Sequence, residues 1–489
     1  VEQRVENDGV PRIEEWANRY MSAGREGRAK LEEEGRRLAA IRRPIFKQWI
    51  KDHPEVALAN AVPMVVRQQL PVSILSLLEK RVNGRAALRV YQGVPEEGAP
   101  LPEKPMTHRV AEFSDGHTYD AHVYGRRAES VSWLPNASLN GVAIDADFAV
   151  SDDPLRALEI GEVPDESKPT KIVCPISGNE TPGGLLDEGE AITEETPAVE
   201  AYGEVTYLCN GDHATIYREV VLQAECGTGG PTQFTGILPA APTPSLGVVK
   251  VLYMPVTYAD QNGVPATESK CYEVMRDVGD FYSKSSFGRL TLLTTVTPPI
   301  KLPHNEAWYI QRDTSNGGDI DGEGMSHSHA RNEARRLGFD SNDYDCVVMR
   351  HTGGPGSYGG LGGGSSVWVR SDSVGIVAHE VGHCFGLAHA NYWDTAGTSS
   401  IGAGTNAEYG DSYDNMGGGP TPAGQYNAQA KSQIKWLPPE YRQDVTQSGL
   451  YRIYAFDQAR LNPARRYAMT VTKDAQRTYW VEVRSLFST

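Results

Sequence analysis

The second half of the chain is predicted to form an α/β domain with a mostly parallel sheet under helical cover. Two observations support this prediction. Strand-like and helix-like segments alternate over residues 247–437, as they do when mostly parallel strands lie under helical cover. The segment HEVGHCFGLAH, residues 379–389, then follows the fourth strand-like segment and combines three histidines with one glutamate. We therefore expect these side chains to lie on a helix that packs beside the sheet.

Residues 1–150 are predicted to combine helices with a small sheet. Over residues 11–50 and 66–82, apolar residues recur at three- or four-residue spacings among charged ones, which is typical of amphipathic helices. The segments RAALRVYQ and TYDAHVYG alternate apolar and polar residues, as half-buried strands do. An α+β region is therefore expected ahead of the α/β domain.

Residues 151–246 are predicted to be an acidic segment that ends in a linker. EVTYLCN and TIYREVVLQAEC are strand-like. The following stretch, GTGGPTQFTGILPAAPTPSL, is rich in glycine, proline and threonine and has little periodicity. Such a composition indicates a linker, so a domain boundary is expected just before residue 247.

Four strands and two helices are predicted in residues 247–437 ahead of the histidine segment. The strands are GVVKVLYMPVTYA, LTLLTTV, YDCVVMRH and SSVWVRS, and the helices are residues 266–283 and SHARNEARRLG. The glycine-rich residues 353–364 lack the G-K-[ST] of a phosphate-binding loop, so we expect a mobile loop and no nucleotide site. Residues 438–489, with the strand-like LYRIYAFD, RYAMTVT and TYWVEVRS, are expected to form a small β-domain.

Charge and hydropathy narrow the classes of partner. The net charge is −16, from 47 basic and 63 acidic side chains, and such a chain repels phosphate backbones. We therefore expect no nucleic-acid partner. No run approaches the roughly 18 to 20 apolar residues of a membrane-spanning helix, and the first residues are too polar for a signal peptide. We therefore expect neither a membrane span nor a signal peptide in this sequence.

The spacing of the three histidines is that of a metal site. On a helix, His379 and His383 lie one turn apart on the same face, so both imidazoles can reach one ion. Gly386 can end the helix in a left-handed conformation and return His389 to that ion. Three nitrogen ligands leave one position of a tetrahedral zinc for water, as in catalytic sites. Glu380 points beside the ion, where its carboxylate can act as a general base.

Residues 379–389 match H-E-x-x-H-x-x-G-x-x-H at every fixed position and thus resemble the metzincin zinc metallopeptidases. Met416 is similar to the methionine turn that this family carries beneath the zinc. Within the metzincins the chain most resembles the gametolysin family, through Tyr409, Gly410, Asp411, Met416, Gly417, Tyr426, Asn427, Ala428 and Trp436. The resemblance covers residues 247–437. It implies an α/β zincin-like fold with a mixed, twisted sheet and an active-site helix, cut by a cleft. It also implies one catalytic zinc ion, endopeptidase activity on protein or peptide substrates, and a secreted or cell-surface location.

The sequence departs from the metzincin pattern at two positions. Astacins and serralysins have a tyrosine two residues after the turn methionine, where this chain has Gly418. The group that stabilises the oxyanion is therefore unassigned, with Tyr409, Tyr413 and Tyr426 as candidates. Cys384 follows the second histidine. We expect it to be a small buried apolar residue, and the alternative is a disulfide to another domain.

The long N-terminal region suggests latency, because secreted metallopeptidases commonly carry an inhibitory N-terminal segment. We hypothesise that residues 1 to about 246 include a prodomain, that the linker is its processing site, and that the enzyme is a zymogen. A cysteine thiolate is a strong fourth zinc ligand that would displace the water. Cys174, Cys209 and Cys226 are candidates, although none lies in the cysteine-switch motif of matrix metalloproteinases. The alternative is a disulfide between Cys174 and Cys209.

Two other groups of residues contain side chains that can bind metal ions. His327 and His329 are two residues apart and would lie on different faces of a helix, so a second metal is not expected there. Residues 340–345, DSNDYD, lack the EF-hand arrangement. A calcium cofactor is therefore unsupported, and a solvated turn is expected.

Two rival functions come from other classes. The first is a binding or adhesion protein that uses a metallopeptidase domain as a scaffold for ligand-recognising β-rich regions. The second is a metal-dependent hydrolase that acts on something other than peptides. The intact H-E-x-x-H argues against the first, because a site without catalysis does not need Glu380.

Overall fold

The computed structural model describes residues 13–96, 99, 106–129, 134–187, 189–225, 243–313, 321–397, 402–418, 424–457, 460–473 and 478–485. The chain divides into two compact units. The first comprises Val1–Arg89 and Arg109–Pro239, and the second comprises Val90–His108 and Ala240–Thr489. Within the described residues, none of the helices combines the length and the apolar character that crossing a bilayer requires.

Seven helices are described in the first unit. They are α1 (Ile13–Ser22), α2 (Arg25–Asp52), α3 (Pro54–Ala59), α4 (Met64–Arg67), α5 (Val72–Leu75), α6 (Arg126–Glu129) and α7 (Gly211–Glu225). The two amphipathic helices predicted over residues 11–50 are confirmed as α1 and α2. The helix predicted over residues 66–82 is wrong. Pro71 has no N–H to continue a helix, so two separate short helices form before a strand begins at Lys80.

Helix α7 also corrects a prediction, because TIYREVVLQAEC was expected to be a strand. The Asn210 side chain accepts the backbone N–H of His213 at 3.0 Å and so caps the first turn of the helix. Val221 then packs on Leu208 and Val199 in one buried cluster. The cap and this single packed face outweigh the strand preference of the β-branched residues.

The strands of the first unit form two sheets. The first five are β1 (Lys80–Val94), β2 (Thr107–Phe113), β3 (Thr118–His122), β4 (Leu134–Ile144) and β5 (Asp147–Val150). Because β1 neighbours both β2 and β4, they close into a barrel-like sheet. The other four are β6 (Arg156–Ala157), β7 (Thr170–Lys171), β8 (Ala198–Ala201) and β9 (Glu204–Tyr207), in the order β6-β8-β9-β7.

The cores of the first unit follow from these elements. Phe113, Phe148 and several alanines fill the barrel interior. Phe46 and Ile50 of α2 pack on the opposite side of β4 and β5, against Val142. The buried side chains of α2 therefore pack against the sheet of this α+β unit.

The second unit contains the mixed sheet. Its strands are β10 (Gly247–Thr257), β11 (Leu290–Val296), β12 (Ile300–Lys301), β13 (Cys346–Arg350), β14 (Gly360–Gly363) and β15 (Ser366–Val369). The order is β11-β10-β13-β15-β14, with β14 antiparallel and the other four parallel. The short β12 pairs with the end of β10. The four strands predicted between residues 247 and 370 are confirmed as β10, β11, β13 and β15.

Five helices of the second unit are described, namely α8 (Glu268–Ser285), α9 (Glu306–Arg312), α10 (Gly322–Arg336), α11 (Val374–Cys384) and α12 (Ala428–Gln433). Both predicted helices are confirmed as α8 and α10. Thr267 caps α8 by accepting the N–H of Lys270. The apolar face of α8 shares one core with α11 and with the β10 and β13 strands, which holds α11 against the sheet.

Two features of the second unit differ from the sequence predictions. Residues 353–364 were expected to be a loop, but Gly360–Gly363 is the strand β14. On its outer side β14 pairs antiparallel with the end of β1, in the register Gln92↔Gly362 to Val94↔Gly360. Residues 90–108 therefore belong to this unit and not to the N-terminal region in which the sequence places them.

The C-terminal residues share the second unit. Its remaining strands are β16 (Tyr392–Asp394), β17 (Thr405–Ala407), β18 (Arg442–Asp444), β19 (Ala468–Thr472) and β20 (Thr478–Glu482). RYAMTVT and TYWVEVRS are confirmed as β19 and β20, whereas no strand forms in the described part of LYRIYAFD. Phe456 and Tyr467 pack on Ala428 and Leu437. Because of this shared core, residues 438–489 belong to the second unit. The sequence had predicted a separate small β-domain.

Candidate metal centre

Three buried histidines converge in the second unit. His379 and His383 lie on α11, and His389 follows the end of that helix. One ring nitrogen of each lies within 4.8 Å of the others. The ring centroids are 4.8 to 5.2 Å apart. The three Nε2 atoms are buried and have no hydrogen-bond partner among the described residues.

The other nitrogen of each ring is held by an acceptor. Nδ1–H of His379 donates to the carbonyl of Asn415 at 2.7 Å. His383 donates in the same way to Leu387 at 2.8 Å. His389 donates to the carboxylate of Glu408 at 2.7 Å. These bonds select the tautomer whose Nε2 lone pair faces the centre of the cluster, as in metal-ligating histidines.

Electrostatics keeps the three imidazoles neutral. Burial lowers the pKa of His379 and His383 well below the usual range, and it lowers the pKa of His389 to about 3. A neutral imidazole is the form that binds a metal ion. The cluster is therefore in the ligating state throughout the neutral pH range.

The chain reversal after α11 depends on Gly386. Its φ is +84°, in the left-handed region, which a glycine adopts without steric cost. Its N–H donates to the carbonyl of His383 and the N–H of Leu387 donates to Gly382, closing the helix end. This turn returns His389 to the face of α11 that carries His379.

Glu380 is buried beside the three histidines. Burial raises the pKa of its carboxyl well above the usual range, and the nearby backbone N–H of Val94 opposes this shift. Neither carboxylate oxygen makes a hydrogen bond of standard geometry in the described part of the chain, although the Val94 N–H is close enough to act on the carboxyl. β14 runs close to this side chain, since a Cβ at Gly360 would lie 2.5 Å from Cγ of Glu380. The glycines of β14 are therefore needed for the strand to pass Glu380.

The segment around Met416 forms the floor beneath the histidines. Asp414 accepts the N–H groups of Met416 and Asn427, which fixes the turn. Met416 is buried, and a Cβ at Gly382 of α11 would lie 2.7 Å from its sulfur. Met416 is therefore a packing residue under α11. The backbone of its neighbour Asn415 holds His379.

Of the three tyrosines considered at the sequence level, Tyr409 lies at the cluster. Its ring centroid is 4.2 Å from that of His389, and its hydroxyl donates to the carbonyl of Gly93. Tyr413 is 59% exposed. Tyr426 is buried under α11, where its hydroxyl donates to the carbonyl of Ala378. The structure thus gives Tyr409 the position for an interaction with a carbonyl near the histidines.

Sequence reasoning missed two parts of this site. Glu408 carries no signal of its own, because a single glutamate in a loop is usually solvated. The second part is the end of β1, where the peptide between Gly93 and Val94 lies between Tyr409 and Glu380. The glycines of residues 360–363 were the available signal that another backbone approaches closely.

The cysteines singled out in the sequence lie elsewhere. Cys174 and Cys209 are in the first unit, both are free, and His213 lies beside them. Burial raises the pKa of Cys174, but backbone N–H groups of Ser177 and Cys209 overcome this and bring it to about 6. Cys226 is outside the described residues. The disulfide considered for Cys174 and Cys209 is absent, and their latency role stays a prediction.

Cys384, His327 and His329 each have packing or hydrogen-bonding partners of their own. Cys384 is a free, buried thiol, 3.7 Å from the sulfur of Cys346, so the prediction of a small buried residue is confirmed. His327 is buried against Trp368, with ring centroids 4.6 Å apart. His329 bonds the hydroxyl of Tyr309 at 2.8 Å. The two histidines thus point to different neighbours.

The donor set fits a zinc ion. Three orphaned, buried nitrogen atoms converge on one point, and each ring is oriented by a second bond. Burial without a partner is costly for such atoms. A zinc ion with an open fourth position satisfies all three at once.

One comparison with known proteins matches the part of the chain that forms this centre. The family described as Peptidase M66 matches residues 339–459. A search of curated proteins gave no match. A solved structure, "Structure of a chaperone-substrate complex", is 14% identical with a TM-score of 0.22, over 39% of this chain and 37% of that one. The M66 match spans the three histidines, Glu380 and Met416, so the segment that forms this centre is similar to a family of metallopeptidases.

Proposed function

We propose that this protein is a zinc-dependent endopeptidase with Glu380 as its general base. The observation that carries the proposal is the convergence of three unpartnered Nε2 atoms beside a buried carboxylate whose oxygens make no hydrogen bond of standard geometry. A buried carboxylate without such a bond costs stability, so its presence favours a catalytic role over a scaffold for adhesion. When bound, zinc polarises a carbonyl and lowers the pKa of a water molecule to about 7.

The residues of the chain have separate roles in this reaction. Glu380 takes a proton from the attacking water and later gives it to the leaving amine. Its burial, which raises the pKa of the carboxyl, suits a group that both accepts and donates a proton. Tyr409 donates a hydrogen bond to the carbonyl oxygen of the peptide as negative charge develops there. His379, His383 and His389 hold the ion.

The fold and location are part of the proposal. A sheet with one antiparallel strand beside the helix of the histidines, and a methionine turn below that helix, support a zincin-like metzincin fold of the gametolysin type. A secreted or cell-surface location rests on that resemblance. Protein or peptide substrates follow from the peptidase similarity of residues 339–459.

The decisive test combines metal content with cleavage. The full chain should contain zinc and cleave casein once any latency is relieved. Glu380→Gln should keep the zinc and the unfolding temperature yet lose about 10²–10⁴-fold in kcat. Tyr409→Phe should keep the zinc and lose about 10²–10³-fold. A zinc-loaded chain that cleaves no protein would favour the binding-protein alternative, and turnover of esters or glycans alone would favour a different hydrolase.

We further propose that the enzyme is latent because its own chain occupies the substrate position. Gly359 N–H donates to the carbonyl of Val94 at 2.8 Å, and the end of β1 extends the sheet along β14. An extended peptide that adds a strand to a sheet edge is a common mode of peptide recognition. The Gly93 carbonyl bonds Tyr409, and the Val94 N–H lies near Glu380. A substrate peptide needs the same Tyr409 hydroxyl and Glu380 carboxylate, so the strand competes with it.

The latency proposal is tested by displacing this strand. A Cβ at Gly93 would lie 2.9 Å from the carbonyl oxygen of Gly360, so Gly93→Val should push the strand off β14 and raise peptidase activity at least tenfold. Gly24→Val is the control, because no atom lies within 4 Å of that position. Equal activity of wild type and Gly93→Val would refute latency by this strand and leave the peptidase proposal intact.

A second experiment guards against misfolding of Gly93→Val. A specific protease site placed within residues 227–242 separates the N-terminal fragment, which carries Val90–Val94, from the fragment with the histidines. If the strand inhibits, activity should appear after the two fragments are separated and should fall when they are remixed. Activity that is unchanged by separation would contradict the proposal.

A further inference from the structure

The first unit contains a second cluster of metal-ligating side chains that the peptidase reaction does not use. Cys174, Cys209 and His213 each place one ligand atom within 4.8 Å of the others. Cys174 Sγ lies 3.2 Å from Nδ1 of His213. We propose that these three residues bind a second metal ion, a borderline-soft divalent ion of the Zn²⁺ type.

The topology of the small sheet brings the two cysteines together. Strands β7 and β9 are parallel neighbours, with Lys171 paired to Thr206. Cys174 and Cys209 each follow that pair by the same number of residues. Because parallel strands end at the same sheet edge, the register places the two thiols side by side. Their proximity is thus a property of the fold.

The third ligand comes from a different element. His213 lies in the first turn of α7, which is fixed by the cap from Asn210. The turn after Cys174 is closed by the Gly178 N–H bonded to the Cys174 carbonyl at 2.9 Å. Ser177, in that turn, brings its hydroxyl to 3.3 Å from the sulfur of Cys209. The strand ends, the turn and the helix thus meet at one point, where a metal ion would join them.

The chemistry of the cluster selects the ion. Two thiolates and one imidazole are ligands for zinc and related soft or borderline ions, and they are poor ligands for calcium or magnesium. Zinc–sulfur bonds of about 2.3 Å and zinc–nitrogen bonds of about 2.0 Å put two ligand atoms of one ion within about 4 Å of each other. The Cys174–His213 distance meets this condition. The Ser177 hydroxyl or a water is suited to the fourth position.

Both cysteines are free, and neither makes a disulfide. Cys174 is fully buried in a cluster with Val199, Leu208 and Val221, and Cys209 is half-buried beside it. The ion would therefore stabilise the contact of α7 with β7 and β9. This assignment gives Cys174 and Cys209 a structural role within their own unit in place of the latency role considered from sequence.

Cobalt(II) distinguishes this site from the three-histidine site, whose proposed ligands include no thiolate. The full-length chain, reduced and freed of metal by a chelator, is titrated with Co²⁺ and followed by absorption spectroscopy. Wild type should develop a thiolate-to-cobalt charge-transfer band in the near ultraviolet. His383→Ala should keep this band. Cys209→Ser should lose it, and its zinc content should fall by one equivalent relative to wild type.

The matched control is Cys346→Ala, because Cys346 and Cys384 are the other described thiols that approach each other. This variant should keep the cobalt band. If Cys209→Ser does not fold, the comparison of wild type with His383→Ala and Cys346→Ala still decides the question. Absence of the band in wild type, loss of the band in Cys346→Ala, or a Cys174–Cys209 disulfide found by mass spectrometry would overturn the proposal.

Discussion

Glu408 holds one ring of the three-histidine cluster from outside that cluster. Its carboxylate is 2.7 Å from Nδ1 of His389. That bond fixes the tautomer and the orientation of the ring and increases the basicity of Nε2. Glu408 is therefore a positioning residue for His389, the third of the proposed metal ligands.

We predict that Glu408→Gln lowers zinc affinity about 10–100-fold, the usual effect of losing such a partner. The measurement is competition with a chelator of known affinity, because zinc affinity is independent of turnover. Glu440→Gln, at an exposed glutamate of the same unit, is the control and should bind zinc like wild type. Equal affinity of the two variants would show that Glu408 does not orient His389.

At the scale of elements, α11 and the Met416 turn must approach closely. A Cβ at Gly382 would lie 2.5 Å from the hydroxyl oxygen of Tyr426 and 2.7 Å from the sulfur of Met416. Overpacking of this kind costs about 1–3 kcal/mol. The second variable residue of H-E-x-x-H is therefore constrained by packing in this chain.

We predict that Gly382→Ala lowers the free energy of unfolding by about 1–3 kcal/mol and weakens zinc binding. The control is Gly279→Ala in α8, where the nearest atom to a new Cβ is 4.0 Å away. There the higher helix propensity of alanine should stabilise the chain by about 0.5–1 kcal/mol. Urea unfolding of both variants measures the difference, and a stable Gly382→Ala chain would refute the close approach.

Helix α12 carries a buried cation. Lys431 is fully buried, its ammonium donates to Gln425 at 2.6 Å, and it lies over the rings of Phe287 and Phe456. Burial lowers the pKa of Lys431 to about 7. A lysine in the unfolded chain titrates near 10.4. Between these two values the unfolded chain binds more protons, so the free energy of unfolding rises with pH.

We predict that wild type gains stability relative to Lys431→Met as pH rises from 7 to about 10. Below pH 7 the difference should stay constant, because both the folded and unfolded forms of Lys431 are then protonated. Chemical unfolding at several pH values measures the difference. A difference that does not change with pH would mean that Lys431 keeps its ordinary pKa.

At the scale of the whole molecule, the two units should respond to zinc separately. Zinc that binds only the folded state stabilises by about 2.7 kcal/mol at a free concentration one hundred times Kd. We expect zinc to raise the unfolding free energy of the metal-free chain through both clusters. His383→Ala should remove the contribution of the second unit, and Cys174→Ser that of the first. Hydrogen exchange of peptides from each unit distinguishes the two effects, and protection confined to one unit in wild type would contradict one of the sites.

Much of the second unit was predictable because its signals are local. The spacing of apolar residues in α8 and the β-branched runs of β10 and β13 agree with the elements that form.

Two predictions of single elements were wrong. The strand predicted at α7, in the first unit, was wrong because a cap and one packed face outweighed residue preference. The loop predicted at β14 failed because glycine composition indicates flexibility, whereas here it permits close approach to Glu380.

The convergence of His379, His383 and His389 and the place of the Met416 turn beneath them were predictable from sequence. Both depend on residue type and on spacing along one helix and one turn. Contacts between residues far apart in the chain have no such signal. Only the folded structure shows that Tyr409, and not Tyr413 or Tyr426, lies beside the histidines. It likewise brings Glu408 to His389 and Val94 to Glu380. The pairing of Cys174 with Cys209 likewise depends on a strand register. A register is set by tertiary packing, and sequence spacing does not encode it.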